Sequence, residues 1–249
     1  MFSIATKFSP EAANFEKAVF ADYECAELHL TPLRLMSWRS LSKIARSYDL
    51  EYALHFPTGD KSTVQTCEEV VELCRDISCD LITVHEENLD VANTISALDP
   101  SIRLAVENQN VSFGDLDEWI QSHDFVTLNI EHLWKHTLLN CERNELVSVV
   151  NRLMHNYRDR IRHVHLSGYT ADQPTRRPIH LSQDFSQSLL DVFLQEEYDG
   201  FVVWEIDTEF QTGELLRKDM DWYQSWRSQK GMPRLLDSRT YLGTQNQVQ

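Results

Sequence analysis

Ten histidines are spread over the 249 residues of this chain. Six of them, His29, His55, His85, His132, His163 and His165, fall on or just beyond the ends of short β-rich runs. The same run ends carry Glu27, Glu86, Glu107, Asn108, Asn129, Glu131, Glu205 and Asp207, and His180 follows in a loop. Imidazoles, carboxylates and amide oxygens are the ligands of divalent cations. A pair of carboxylates is also the simplest device for taking a proton from one side of a carbon and returning it.

Strand alternation sorts these residues by face. Side chains two apart share a face, so Glu107 goes with Ala105, Asn129 with Glu131 and Thr127, His165 with His163, and Glu205 with Val203. With the more apolar face packed against helices, Glu107, Asn129, His165 and Glu205 point into a common interior. Two carboxylates, an imidazole and an amide oxygen make a hard site suited to Mn²⁺, Mg²⁺, Co²⁺ or Fe²⁺. His55, His85, His132 and His180 would add nitrogen ligands suited to Zn²⁺. Burying Glu107, Glu205 and His165 together without a cation is costly. A bland alternative is an ion pair between Glu107 and Arg103, which shares its face. Glu27 is read as a substrate-binding or additional metal-binding residue, and His29 and His163 as supporting or core residues. His123, His136 and His155 are read as surface residues.

The elements that must position these groups alternate along the chain. Eight strands are expected at 2–6, 25–30, 52–56, 81–86, 102–108, 126–131, 161–167 and 201–206. Helical periodicity fills 10–23, 37–48, 62–78, 87–98, 113–122, 134–157, 183–197 and 212–229; in 62–78, Val64, Cys67, Val71 and Cys74 mark one buried face. Eight β-then-α units predict a single-domain α/β chain folded as a (β/α)8 TIM barrel over residues 1–230, which typically takes about 250 residues. A doubly wound open sheet would carry a glycine-rich fingerprint after its first strand, where this chain reads TKFSPEA. Residues 231–249 read as a polar C-terminal tail. In such a barrel the strand ends just described are the site of chemistry.

Composition narrows the function classes. Lys plus Arg total 23 against 39 Asp plus Glu, a formal charge of −16, which disfavours nucleic-acid or anionic-lipid partners. No apolar run is long enough for a signal peptide or membrane span. Five cysteines without a CxxC pair read as reduced thiols, so a cytoplasmic protein is expected. The partner expected is a small-molecule substrate, and self-association into a homo-oligomer is left open.

These elements together resemble the xylose isomerase-like TIM-barrel superfamily, which holds sugar isomerases and epimerases and endonuclease IV. The resemblance spans roughly residues 2–229. It is carried by Glu27 in AELHL, His55 and Pro57 in LHFP, His85 in TVHE and Glu107 in AVEN, then by NIEHLW in place of an Asp-x-x-His element, HVHLSG, the loop His180, and Glu205 in VVWEI. It implies a divalent cation held by Glu107, position 129, His165 and Glu205, with Glu107 and Glu205 as the acid/base pair. It also implies hydroxyl binding by His55, His85 and His180. Asn129 departs from the family's Asp and removes one negative charge, and Glu131 is a candidate substitute. Gly168 and Pro178 stand where further family carboxylates would be, so a three-zinc cluster is not expected. The function implied is a metal-dependent isomerase or epimerase of a small sugar or related polyhydroxy carbonyl compound. A metal-dependent lyase or dehydratase, an endonuclease IV-like phosphodiesterase and an inactive ligand-binding barrel are the alternatives.

Overall fold

Eight parallel strands close into a barrel in this computed structural model, which describes residues 1–59, 63–170 and 173–232. Of the expected tail, residues 233–249 lie outside the described residues. The barrel strands are β1 (Ser3–Phe8), β2 (Cys25–His29), β3 (Glu51–His55), β4 (Leu81–His85), β5 (Arg103–Glu107), β6 (Phe125–Asn129), β7 (Ile161–Leu166) and β10 (Phe201–Trp204). They follow one another around the barrel in chain order, and β10 closes against β1 with Ala5 opposite Val203. Between β7 and β10 an antiparallel hairpin, β8 (Gly168–Thr170) and β9 (Gln173–Arg177), occupies what reads in sequence as a loop. Its first residue must be glycine, because a Cβ at Gly168 would lie 2.3 Å from the Pro178 carbonyl oxygen.

The helices are α1 (Ala12–Phe20), α2 (Pro32–Leu35), α3 (Trp38–Ala45), α4 (Val64–Ile77), α5 (Leu89–Leu98), α6 (Leu116–Ser122), α7 (Ile130–His132), α8 (Arg143–Tyr157), α9 (Gln183–Gln195) and α10 (Gly213–Gln229). In α4 a Thr63–Thr66 capping box starts the helix and Ser78, in the left-handed region at φ 57°, ends it. Cys67, Val71 and Cys74 are buried as its periodicity predicts, whereas Val64, at the first turn, is exposed. All five cysteines are free. The continuous helix expected over 134–157 is broken. Leu133–Thr137 forms a wide π-type turn, and Leu139 and Asn140 are left-handed, which no α-helix tolerates.

Alternation holds around the whole barrel. Even-numbered residues such as Leu28, Leu54, Val84, Leu128 and Trp204 face the helix shell and are fully buried. Odd-numbered residues fill the interior. Its floor is an apolar plug of Ala5, Cys25, Leu81, Ala105, Phe201 and Val203. Above the plug lie Glu27, Thr83, Thr127 and His163, all buried. The carboxyl ends of the strands then carry the charged and imidazole side chains. Strand β1 runs to Phe8 rather than stopping at Thr6, because Lys7 and Phe8 continue the ladder against Glu27 and Leu28 of β2. That extension places Lys7 at the barrel mouth. Among the described residues, no helix is long and apolar enough to cross a membrane.

Candidate active site

The mouth opens into a cleft of about 470 Å³ whose lining includes Lys7, His29, His55, His85, Glu107, His132, Arg176, Glu205 and Asp207. Glu107 and Glu205 face one another across Asn129. The Asn129 amide nitrogen donates to Glu107 Oε1 at 2.7 Å and to Glu205 Oε2 at 3.0 Å. Its other end is committed, since Asn129 Oδ1 accepts the backbone N–H of His132 and so caps α7. This backbone contact fixes which amide atom faces the carboxylates. His165 completes the group, with Nδ1 at 2.9 Å from Glu107 Oε1 and 3.6 Å from Glu205 Oε2.

Glu107 is the most heavily contacted carboxylate. Its second oxygen lies 2.9 Å from His85 Nε2 and 3.5 Å from His55 Nε2. His55 is anchored through Nδ1 to the Phe56 carbonyl, and His85 through Nδ1 to Gln109. Burial alone would raise the Glu107 carboxyl. His165, His55 and His85 more than offset it and hold the group well below the usual carboxylate range. Glu205 behaves likewise. Burial opposes ionisation, but Lys7, His165 and Arg176 bring it down to about 2. Lys7 Nζ and Arg176 Nη1 meet the same oxygen, Glu205 Oε1, at 2.7 and 2.8 Å.

Beneath this surface Glu27 organises a buried layer. Its Oε2 lies 2.9 Å from His165 Nε2 and 3.1 Å from His163 Nε2, and its Oε1 lies 3.4 Å from Lys7. Despite full burial, His165 and then Lys7 keep Glu27 well below the usual range. His165 responds in the opposite sense: burial would lower it, yet Glu27, Glu205 and Glu107 raise it to about 10. His163 has only Glu27 on its side, and burial drives it down to about 3. Thr83 Oγ1 lies 3.0 Å from Thr127 Oγ1 and 2.8 Å from His163 Nδ1, and Thr127 Oγ1 lies 3.3 Å from the Ala105 carbonyl oxygen.

The structure gathers Glu107, Asn129, His165, Glu205, His55 and His85 at one place. His132 lines the same cleft, with Nε2 3.4 Å from Arg176 Nη2. Glu27 is wholly buried beneath them. Glu131 does not join that group directly: it pairs with Lys135 and with Arg176, which links it to Glu205, because α7 begins at Ile130 and rotates it off the strand face. His180 is bound through both its backbone N–H and Nδ1 to Asp219 of α10, and it does not line the cleft. Arg103 pairs with Asp80 at 2.8 Å, so the ion pair with Glu107 is not formed. Trp134 stacks on Tyr169 with centroids 4.2 Å apart and lines a separate small pocket. Sequence reasoning missed Lys7. The signal was the alternation itself, since Lys7 shares a face with Ala5 once β1 is extended.

Among the described residues, three groups hold ligand atoms close enough to share a metal ion: Glu107 with His165 and Glu205, His55 with His85 and Glu107, and Glu27 with His163 and His165. In the first group the separations of 2.9 and 3.6 Å between His165 Nδ1 and the two carboxylates are close to the edges of a coordination shell with ligands at roughly 2.1 Å. The donor set therefore fits a divalent cation. Asn129 would contribute its oxygen to that shell only by releasing the His132 N–H.

No protein-family model matches the chain, and a search of curated proteins finds no match. Solved structures do match. A D-tagatose 3-epimerase-like protein is 17% identical with a TM-score of 0.66, over 91% of this chain and 97% of that one. A D-allulose 3-epimerase from Methylomonas sp. is 13% identical with a TM-score of 0.61, over 90% of this chain and 98% of that one. The catalytic domain of a chitinase from Pyrococcus furiosus also aligns, at 12% identity and a TM-score of 0.54, over 89% of this chain and 96% of that one. At these identities the likeness is one of fold, and the (β/α)8 barrel expected from the strand and helix order is the fold observed.

Proposed function

We propose that this barrel is an isomerase or epimerase of a small sugar or related polyhydroxy carbonyl compound. The observation that carries the reading is the facing pair Glu107 and Glu205, held by one amide at the floor of an open cleft. Sugar 3-epimerases among the fold neighbours support it. Glu107, Asn129, His165 and Glu205 would hold a divalent cation of the Mn, Mg, Co, Fe or Zn type. When bound, such a cation would polarise the substrate carbonyl and offset the negative charge that develops on its oxygen.

The residues of the chain do the rest. One of the two carboxylates takes the proton from the carbon next to the carbonyl, and the other returns it. Both rest at low basicity, Glu205 because Lys7 and Arg176 share its Oε1, so proton abstraction requires one of these partners to move onto the substrate. Arg176, on the hairpin at the cleft edge, is the partner placed to do so. His55, His85 and His132 are kept as hydrogen-bonding groups for hydroxyls; burial lowers the first and last from the ordinary histidine value and keeps them neutral. Glu27 acts from below, orienting His165 through its Nε2.

The test is proton exchange. Protein loaded with Mn²⁺ and incubated with ketoses in deuterated water is expected to incorporate deuterium next to the carbonyl, read by NMR. Absence of exchange with every neutral and anionic hydroxy-carbonyl compound tried, from protein that has bound the metal, would overturn the reading.

A further inference from the structure

The register of the barrel sets Lys7 between two carboxylates. On one side β1 pairs with β2, and Lys7 stands opposite Glu27. On the other side Thr6 stands opposite Trp204, so Lys7 and Glu205 follow next to one another. Gln211 Nε2 donates to the carbonyls of Lys7 and Ile206, at 3.0 and 2.8 Å, and ties these two strand ends together. The ammonium then reaches Glu205 Oε1 at 2.7 Å and Glu27 Oε1 at 3.4 Å. Burial would lower Lys7, but Glu205, Glu27 and Glu107 more than offset it and raise the ammonium above its ordinary value. These are the same carboxylates that surround His165.

Lys7 differs from the other partners of these carboxylates. Arg176 shares Glu205 Oε1, but it comes from the hairpin and divides itself with Glu131. His165 and Asn129 belong to the ligand set itself. Lys7 stands on a barrel strand with its side chain 11% exposed. As an ammonium it brings a full positive charge and no lone pair, so it adds charge to the site without adding a ligand atom. A fixed charge of the metal's own sign, seated on a carboxylate that would bind the metal, opposes loading. With no metal bound, the same charge relieves the repulsion among Glu27, Glu107 and Glu205.

We infer that Lys7 is a resident counter-cation of the site, which stabilises the three carboxylates in the unloaded protein and holds down their affinity for a divalent metal ion. The inference rests on the metal ligands proposed above and concerns how tightly they load.

Calorimetric titration of the chelator-treated full chain with Mn²⁺ tests it. Lys7→Met keeps the apolar stem and removes the charge, and it is expected to bind Mn²⁺ about tenfold more tightly than wild type, or better. Lys7→Arg keeps the charge and should stay within about threefold of wild type. Without metal, Lys7→Met should melt below wild type, and Mn²⁺ should raise its melting temperature by the larger increment. A side chain that only packs would leave the affinity unchanged or weaken it, so tightening is the signature. Where Lys7→Met folds poorly, the double variant Lys7→Met with Glu27→Gln is compared with Glu27→Gln alone. Unchanged or weaker Mn²⁺ binding when the charge is removed, or failure of both variants to fold in excess Mn²⁺, overturns the inference and leaves the isomerase reading standing. No Mn²⁺ binding by wild type or any variant removes the inference together with the metal ligands, and proton exchange still decides the isomerase reading.

Discussion

The interior of this barrel is two materials stacked on the same strands. At the floor β10 contributes Phe201 and Val203, β5 Ala105 and β1 Ala5. Two residues further along the same strands stand Glu205, Glu107 and Lys7. A buried Val or Phe is worth about 1.5–3 kcal/mol, while charges at the same depth stabilise nothing unless paired and hydrogen-bonded. The floor therefore holds the barrel shut, and the mouth spends part of that stability on chemistry. The two layers should fail in different ways. Glu205→Gln is expected to lower proton exchange by roughly 10²–10⁴-fold, with the far-UV circular dichroism spectrum unchanged. Exchange at the wild-type rate would take Glu205 out of the reaction.

The converse substitution belongs to the floor. Phe201 lies in the apolar plug, with its ring 5.8 Å from that of His163. Phe201→Ala should cost about 3–5 kcal/mol in denaturant unfolding, with kcat for any turned-over substrate within about twofold. A loss of kcat without loss of stability would show that the two layers are not separate.

The same contrast governs what could be read from sequence. Glu107, Asn129, His165 and Glu205 were legible because each sits in a run with strict alternation, and the period of two assigns the face without further information. The apolar partner on each run, such as Val106 or Trp204, made the choice of inner face secure. Lys7 was not legible. It lies one residue past the strand end expected at Thr6, and only pairing with β2 shows where the strand stops. Glu131 and His180 stand outside the Glu107–Glu205 cluster for a related reason. Both lie beyond a strand, where a short helix or a side-chain contact sets direction, and neither Asp219 nor Arg176 is near them in sequence. The paired strands β8 and β9 leave no strand signature, since their placement depends on Gly168 against Pro178.

Asn129 is where the mouth can be retuned with one atom. Its amide nitrogen donates to both Glu107 and Glu205, so it serves the unloaded site better than a loaded one. Asn129→Asp replaces a donor with a third carboxylate. Without metal, the melting temperature should fall below wild type because the carboxylates repel. With Mn²⁺ the order should reverse, and affinity by calorimetry should rise roughly 10–100-fold, about 1.4–2.7 kcal/mol. A variant that binds Mn²⁺ no more tightly than wild type would show that position 129 lies outside the metal shell.

The smallest expected effect separates the buried layer from the mouth through pH. His163 is held neutral, with its value lowered to about 3 by burial, and in the unfolded chain it titrates near 6.5. A histidine lowered in the fold contributes stability above its unfolded value and loses it as pH falls toward the folded one. From pH 6.5 to 5.5 this costs about 1 kcal/mol. His29, lowered to about 4 chiefly by burial, adds loss in the same direction, as do His55 and His132. His165 opposes it, since a group raised to about 10 is already protonated in the fold and is at its full contribution below 6.5. The lowered carboxylates of Glu27, Glu107 and Glu205 stay ionised in both states across this window and leave the slope alone. Wild type should thus lose stability on mild acidification, measured by urea unfolding at the two pH values in the presence of chelator. His163→Asn, which keeps a polar group near Thr83 but cannot titrate, should lose about 1 kcal/mol less over the same step. An unchanged slope would mean that His163 is protonated in the fold, with its Nε2–H given to Glu27.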